Sequence, residues 1–245
     1  MTTKNIIDDS GADIVECKNS ADLTAFCFNW LISAIKETGA KRVFLPAGNT
    51  PTSLYKMMEE KKGSGHSELS GVTFVQIDEV VTGSQRGVFK KFFEEHLPSF
   101  TGQFEFVGDV DSDQVTGADI AILGVGLNGH VGFHEPHMDS DFSFGTVDLS
   151  DTTIKNLKLE PTARGQSYGL GHFMAAKKVL MISKGASKAL ITAETLQGKK
   201  GLPSSQFLSH PDFTLVGDPD SFSLISARSC PVMTLCDSEN SLIAG

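Results

Sequence analysis

The chain has 245 residues, of which 40% are hydrophobic and 21% charged, so it is long enough for one sizeable core and too short to require two domains. Its formal net charge of −9 argues against nucleic-acid and anionic-membrane partners, so any anionic ligand needs a local site. Four cysteines without a C-x-x-C spacing, no signal peptide and no run of about 18 apolar residues predict a reduced, cytoplasmic protein. We expect a single domain over residues 1–245.

The first strong periodic pattern along the chain predicts a helix over residues 20–39. Its apolar side chains recur at helical spacing and are Leu23, Phe26, Cys27, Trp30, Leu31, Ala34 and Ile35. Ser20 is the expected N-cap, and Gly39 is expected to close the C-terminal end. We assign this helix to core packing.

Short apolar runs then predict the strands of one sheet, and they read RVFL, VTFVQI, DIAILGV, KVLMIS and FTLVGD. Enough residues for a crossover separate each run from the next, and several runs precede a helical pattern. This alternation is typical of an α/β fold of the Rossmann-like, doubly wound kind, with helices on both faces of a mostly parallel sheet. The glycine- and serine-rich stretch at 61–71 is expected to be a surface loop.

Polar residues directly follow four of these runs, where a sheet of this kind binds its ligands. They are Gly48, Asn49 and Thr50, then Asp78 and Glu79, then GLNGHVGFHEP at 126–136, and finally KGASKA at 184–189. A scaffold alone would not need polar groups at four strand ends, so we expect a binding site there.

Two of the strand ends predict an anion site. Gly48 permits a tight turn, Thr50 can cap, and Pro51 suits the first helical position, so the free N–H groups of a helix start face a ligand. Ser187 is the expected N-cap of a second helix, which puts Lys188 in the first turn, where a bound phosphate would offset its unfavourable charge. A capped turn and a solvated lysine would explain these residues singly. Together they favour a phosphate held from two sides.

The chemistry is expected in Asp78 and in the loop at 126–136. A carboxylate at a strand end, shielded by apolar neighbours, can act as a base toward a carbon acid, although an isolated aspartate could simply cap a turn. The loop offers His130, His134 and Glu135, and a histidine beside a carboxylate or amide can exchange protons near neutral pH.

A metal ion is an alternative interpretation of this loop, because His130 and His134 lie four residues apart, as helical zinc ligands do. Gly132 and Pro136 make the stretch a poor helix, and the glutamate is not placed as in H-E-x-x-H or H-x-x-E-H. We therefore predict no metal ion.

Four stretches resemble the glucosamine-6-phosphate deaminase (isomerase) family, within the wider group of 6-phosphogluconolactonase and ribose-5-phosphate isomerase. They read LPAGNTPTSLYK, VTFVQIDE, GVGLNGHVGFHEP and KVLMISKGASKAL, and they occur in the family's order. The resemblance implies a sugar-phosphate isomerase-like domain that converts glucosamine 6-phosphate or galactosamine 6-phosphate to the ketose 6-phosphate and ammonia. It implies a small-molecule sugar phosphate as partner, no cofactor, and a tendency toward homo-oligomers.

The resemblance also implies roles for individual residues. Those implied to hold the phosphate are Gly48, Asn49, Thr50, Lys188 and an upstream arginine that we assign to Arg164. Asp78 is implied to move a proton between the carbons of the opened sugar. His130 is implied to assist ring opening, with Asn128 and Glu135 beside it. Those expected to contact the substrate are Glu79, Gly126 and His134.

Two residues depart from the family pattern. Asn128 stands where the well-known deaminases carry an aspartate, so the histidine keeps an acceptor for its ring N–H but loses a neighbouring negative charge. His134 stands where the family usually has asparagine. Deaminases of galactosamine 6-phosphate resemble the Asn128 variant, so the choice between the two sugars stays open. A 6-phosphogluconolactonase and a non-catalytic sugar-phosphate-binding protein remain as alternatives, although Glu135, Pro136 and Asp78 favour the deaminase.

Overall fold

The structure is a computed structural model that describes residues 3–7, 11–64, 66–110, 115–225 and 232–234. The strands are β1 (Thr3–Ile7), β2 (Asp13–Cys17), β3 (Arg42–Leu45), β4 (Thr73–Gln76), β5 (Asp78–Val80), β6 (Phe104–Glu105), β7 (Ile120–Gly124), β8 (Phe144–Asp148), β9 (Arg164–Tyr168), β10 (Lys178–Ser183), β11 (Phe213–Gly217) and β12 (Val232–Thr234). The α-helices are α1 (Ser20–Thr38), α2 (Thr52–Lys61), α3 (Val88–His96), α4 (Asp151–Leu157), α5 (Leu170–Met174) and α6 (Ala189–Leu196).

The main sheet has the strand order β12-β1-β2-β11-β10-β7-β3-β4-β6. Each pairing from β2 to β6 is parallel, whereas β1 pairs antiparallel with both β2 and β12. The five predicted runs form β3, β4, β7, β10 and β11. The prediction of a mostly parallel sheet is confirmed.

Separate hydrophobic clusters cover the two faces of this sheet. Ile120 and Ile122 of β7 lie in the cluster that contains buried side chains of α1, α2 and α3. Ala121 and Leu123 lie in the other cluster, together with buried side chains of α5 and α6. Because side chains alternate along a strand, one continuous apolar run supplies both cores. The predicted doubly wound arrangement is therefore confirmed.

Helix α1 spans the predicted region, but its N-cap is Asn19 and not Ser20. The Asn19 backbone is extended, and its side-chain oxygen accepts hydrogen bonds from the N–H groups of Ala21 and Asp22, both at 2.9 Å. Ser20 already lies inside the helix. Gly39 ends the helix with a φ of 63°, as predicted, because glycine adopts the left-handed conformation without strain.

A second, smaller sheet lies beyond the carboxyl end of β4 and has the antiparallel order β5-β9-β8. The chain leaves the main sheet at Ile77 and enters the small sheet at Asp78. Buried side chains from this part of the chain form a third cluster, which is Val80, Phe133, Val147, Leu149 and Ala163. The small sheet fixes the position of Asp78 at the edge of the main sheet.

The remaining sequence expectations concern the membrane, the cysteines and the loop at 61–71. In the described ranges, no helix is long and apolar enough to cross a membrane. Cys17 and Cys27 are buried with free thiols, while Cys230 and Cys236 lie outside the described residues. The stretch at 61–71 contains a short 3-10 helix over Ser67–Gly71 instead of being loop throughout.

Candidate active site

A cleft of about 560 Å³ lies at the carboxyl ends of β3, β4, β7 and β10. Its wall includes the following residues from the four strand ends: 46–51, Asp78, 124–127, His130, Lys184, Ser187 and Lys188. The carboxyl ends of parallel strands meet at one edge, which is why groups far apart in the sequence share this cleft.

The turn after β3 forms one end of the cleft. Gly48 has a φ of 110°, which a residue with a side chain rarely adopts. Tyr55 of α2 is fully buried and donates a hydrogen bond to the Pro46 carbonyl at 2.5 Å, which ties the turn to the helix. Helix α2 begins at Thr52 and no side chain caps it, so the predicted cap by Thr50 is wrong. The first N–H groups of α2 and the Thr50 hydroxyl remain available to a ligand.

The chain after β10 supplies two lysines to the cleft. Lys188 donates a hydrogen bond to the Val125 carbonyl at 2.6 Å, and burial lowers its pKa. Ser187 does not cap α6, because a 3-10 turn over Ala186–Lys188 precedes that helix; the predicted N-cap is wrong. Lys184 directly follows β10, and with the described residues its ammonium makes no hydrogen bond or ion pair. Both lysines can therefore meet an anion.

Arg164 does not line this cleft. It is the first residue of β9, where it pairs in register with Asp148 of β8. Its Nε donates a hydrogen bond to the Asp148 carboxylate at 2.8 Å, and its side chain is about half exposed. This placement disagrees with the prediction that Arg164 holds the phosphate with Lys188. Strand β9 belongs to the small sheet, and Arg164 lies at the end of that sheet far from the cleft.

Asp78 lies on the cleft wall with 7% of its surface exposed. Burial, and then the charge of the neighbouring Glu79, raise the pKa of its carboxyl to about 8. No described residue donates a hydrogen bond to this carboxylate. An ionised Asp78 would therefore be a poorly stabilised anion that readily accepts a proton.

Glu79 is buried away from the cleft and caps helix α3. Its carboxylate accepts hydrogen bonds from the N–H groups of Val80, Phe89 and Lys90 at 2.7, 3.0 and 2.7 Å, and from the Gln76 amide at 3.0 Å. With these donors and 4% of its surface exposed, Glu79 does not line the cleft, which disagrees with the expected substrate contact. Consecutive strand residues point to opposite sides, which separates Glu79 from Asp78.

Asn128 joins His130 to Glu135. Its Nδ2 donates to Glu135 Oε2 at 2.8 Å and to Ser150 Oγ at 3.1 Å, so its Oδ1 faces His130 Nδ1 at 2.7 Å. An amide oxygen only accepts, so Nδ1 carries the ring hydrogen. The other nitrogen, Nε2, then presents a lone pair and has no hydrogen-bond partner among the described residues.

The His130 ring lies flat against the backbone at Gly126. A Cβ at position 126 would overlap three atoms of the ring, so the close approach requires glycine. Burial lowers the pKa of His130, although the Glu135 carboxylate works in the opposite direction. The imidazole is thus neutral near pH 7 and can accept a proton at Nε2.

Glu135 is fully buried behind Asn128 and does not line the cleft. Burial alone would raise its pKa, but hydrogen bonds from Thr153, Asn128 and the Ser150 N–H lower it overall, and a protonated His130 would lower it further. Its Oε2 is 3.7 Å from His130 Nδ1, which is beyond hydrogen-bond distance. Glu135 therefore connects to His130 through intermediate groups.

Comparison with known proteins agrees with this arrangement. Glucosamine-6-phosphate deaminase of Streptococcus sanguinis is 31% identical over 212 residues, which cover 76% of this chain and 88% of the relative. The chain belongs to the glucosamine-6-phosphate deaminase family. The deaminase of Thermoanaerobacter pseudethanolicus is 29% identical over 220 residues, or 78% of this chain and 86% of the relative. No protein-family model matches the chain.

Solved structures share the fold of this deaminase-family chain. A monomeric glucosamine-6-phosphate deaminase aligns with a TM-score of 0.73 and 24% identity over 86% of this chain and 99% of that one. The 6-phosphogluconolactonase of Leishmania guyanensis aligns with a TM-score of 0.65 and 17% identity over 87% and 98% of the two chains. These likenesses establish the α/β fold, which deaminases and lactonases share.

In this member of the deaminase family, His134 lies outside the cleft. It is 1% exposed, its Nδ1 makes no hydrogen bond with any residue that the structure describes, and its ring centroid is 6.0 Å from that of Phe142. This placement disagrees with the expected substrate contact, because the backbone of Val131 and His134 forms a tight turn that directs His134 inward. Within the described part of the chain, no three His, Cys, Asp or Glu side chains are grouped to hold a metal ion.

The deaminase-family cleft also contains residues to which the sequence assigned no individual role. Lys184 and Leu127 lie in the strand-end stretches at 184–189 and 126–136, where a binding site was expected, but neither was singled out. Asn156 and Leu157 line the cleft from the last turn of α4, and Leu127 lines it after β7. Helix α4 is short and its sequence carries no strong apolar period, so nothing local indicated its position.

Proposed function

We propose that the chain is an amino-sugar-phosphate deaminase that converts glucosamine 6-phosphate or galactosamine 6-phosphate to the ketose 6-phosphate and ammonia. The observation that carries this proposal is Asp78, a nearly buried carboxylate to which no described residue donates a hydrogen bond, in the same cleft as a neutral His130. Such a carboxylate is suited to removing a proton from carbon. The relatives of this chain that are named as deaminases support the same reaction.

The proposed phosphate site is the end of the cleft formed by the turn at 48–51 and by Lys184 and Lys188. The turn offers uncapped N–H groups and the Thr50 hydroxyl, and the two lysines offer positive charge. Two lysines thus take the place of the lysine and arginine that the family resemblance implied. Binding the unreactive phosphate contributes to orienting the sugar for reaction.

Ring opening is the first proposed step. His130 Nε2 accepts the proton of the C1 hydroxyl and returns a proton to the ring oxygen as the C1–O5 bond breaks. The product is the open-chain aldehyde, and the histidine ends neutral, as it began. Asn128 keeps Nδ1 as the donor side of the ring throughout, which leaves Nε2 facing the substrate.

Proton transfer between carbons follows. Asp78 removes the C2 proton, because the resulting electron pair is delocalised into the C1 carbonyl, and the C1 oxygen takes up a proton that the substrate's ammonium group gives up. Asp78 returns its proton to C1, which creates a carbon–nitrogen double bond at C2. Water adds to that bond and ammonia leaves, which yields the ketose 6-phosphate. The reaction is therefore an isomerisation that ends in a hydrolytic step. The substrate supplies its own electron sink.

We expect kcat/KM to rise with pH and to level off near pH 8. Asp78 must be ionised to accept a proton, and its pKa of about 8 keeps the acid form dominant below that value. Each unit of pH below the plateau should therefore change kcat/KM about tenfold. The lowered pKa of His130 keeps the imidazole neutral over this range. Initial rates of ammonia release test this, and a flat profile from about pH 6 to about pH 8 would contradict it.

Ammonia release from glucosamine 6-phosphate and galactosamine 6-phosphate tests the proposed function. We expect release from at least one sugar, and the ratio of the two kcat/KM values gives the preference. If either sugar binds and neither releases ammonia, the chain is a sugar-phosphate-binding protein and the proposal is wrong. Hydrolysis of 6-phosphogluconolactone that persists in Asp78→Asn would instead identify a lactonase, since lactone hydrolysis requires no proton transfer from carbon.

A further inference from the structure

The first turn of α4 lies behind His130, on the side away from the cleft. Thr153 in this turn is 1% exposed, and its Oγ1 is 3.1 Å from His130 Nδ1 and 2.5 Å from Glu135 Oε1. Ser150 is the N-cap of α4, and its Oγ lies 3.1 Å from Thr153 Oγ1. The Thr153 hydroxyl is thus surrounded by three polar groups.

Counting hydrogens assigns the role of each group. The Glu135 carboxylate only accepts, so the single hydroxyl hydrogen of Thr153 points to Oε1. Ser150 Oγ accepts from Asn128 Nδ2 and from the Thr153 N–H, so its own hydrogen goes to Thr153. The remaining acceptor site on Thr153 Oγ1 faces His130 Nδ1. An unprotonated Nδ1 would turn its lone pair toward Asn128 Oδ1 and Thr153 Oγ1 with no hydrogen between them, so Nδ1 carries the ring proton and these two oxygens accept it.

Each oxygen of Glu135 consequently reaches His130 through a different residue. Oε2 reaches the ring through the Asn128 amide, and Oε1 reaches it through the Thr153 hydroxyl. The direct separation of 3.7 Å leaves these two routes as the means of orienting the ring. Asn128 is uncharged, so a second connection matters more here than it would beside an aspartate.

We propose that Thr153 is a positioning residue that connects Glu135 to His130 and holds the imidazole as the Nδ1–H tautomer, with Nε2 directed to the sugar. This inference rests on the proposed function for its kinetic effect, and it goes beyond it by assigning a role to α4. Thr153 does not line the cleft, whereas Asn156 and Leu157 of the same helix do. Its loss should therefore affect turnover and spare substrate binding.

Kinetics of matched variants test the inference. Thr153→Val keeps the shape and removes the hydroxyl, and we expect kcat to fall about tenfold with KM changed by less than about twofold. Thr153→Ser keeps the hydroxyl and should stay within about threefold of the parent kcat. Thr195→Val is the control, because that buried hydroxyl bonds to Ser204 Oγ at 2.7 Å outside the cleft. Equal kcat in Thr153→Val and Thr195→Val, or equal losses in the Val and Ser variants, would overturn the inference.

Nitrogen-15 NMR of the His130 ring gives a readout that does not depend on turnover. The signal is assigned by its loss in His130→Gln, and Thr153→Ala serves as a second hydroxyl-free variant if the valine variant does not fold. We expect only the Nδ1–H tautomer in the parent protein and a detectable Nε2–H tautomer in the hydroxyl-free variants. An Nε2–H ring in the parent, or an unchanged tautomer in those variants, would refute the role of Thr153. A parent protein without ammonia release would refute the proposed function alone.

Discussion

Asp78→Asn is expected to lower kcat for ammonia release by about 10³-fold while the sugar phosphate still binds. The amide has the same shape as the carboxyl, but it cannot take the C2 proton. The phosphate end of the cleft is untouched, so affinity for an unreactive open-chain amino-alditol 6-phosphate should stay within about threefold. Steady-state kinetics and calorimetry measure the two quantities. A variant that keeps more than a tenth of the parent kcat would remove Asp78 from the mechanism.

The same substitution should stabilise the fold at alkaline pH. The folded-state pKa of Asp78 is raised to about 8, so between the ordinary pKa of aspartate and about pH 8 the carboxyl ionises in the unfolded chain but not in the folded protein. The free energy of unfolding therefore falls as the pH rises through this range, and the loss is complete above about pH 8. Asparagine never carries that charge. We expect Asp78→Asn to raise the free energy of unfolding by roughly 1–3 kcal/mol at pH 8 and to change it little near pH 4.

Urea unfolding at the two pH values measures this gain. Asp148→Asn is a suitable control, because Asp148 is 80% exposed and lies outside the cleft. We expect no comparable gain from it. A lower stability of Asp78→Asn than of the parent protein at pH 8 would show that the carboxylate is stabilised by contacts other than those described.

Lys188→Gln is expected to raise KM for the sugar phosphate about a hundredfold, because a charge-assisted hydrogen bond to phosphate is lost. Glutamine keeps much of the length and can still donate to the Val125 carbonyl. Lys184→Gln should also raise KM, since the Lys184 ammonium has no competing partner among the described residues. Inorganic phosphate should also become a weaker competitive inhibitor of both variants.

Arg164→Gln separates the two assignments of the second phosphate cation. Arg164 is paired with Asp148 outside the cleft, so we expect KM to remain within about twofold of the parent value. An increase in KM larger than that of Lys184→Gln would restore the arginine to the phosphate site. Lys200→Gln is the control, because it removes one positive charge from a lysine on the surface and therefore reports the effect of net charge alone.

The sequence allowed the sheet and the strand-end residues to be predicted, because both follow from simple periodicity. Buried parallel strands read as apolar runs, and the residue after each run must lie at the ligand-binding edge. This rule correctly placed Asp78 and Lys188 on the wall of the cleft. Gly48 followed from the same rule, together with the need for a tight turn.

The errors came from side-chain direction and from contacts distant in sequence. Glu79 follows Asp78 directly, yet it turns away from the cleft to cap α3, and no local pattern shows that choice. The helix caps at Thr50 and Ser187 were displaced by turns that precede the helices. Thr153 meets Glu135 across 18 residues of sequence, so only the folded chain brings their side chains together. The small sheet was missed because β5 has only three residues and because β8 and β9, which read FGTVD and RGQSY, contain no apolar run.

The contact between Gly126 and the His130 ring limits how this protein can be engineered. Any side chain at position 126 would displace the ring and, with it, the proton transfer proposed for His130, whatever change of specificity was intended. Leu127 and Asn156 line the same cleft without supporting the ring, and both lie at its mouth as exposed residues. A mutant library that seeks activity on other sugar phosphates should therefore vary these two positions and keep glycine at 126.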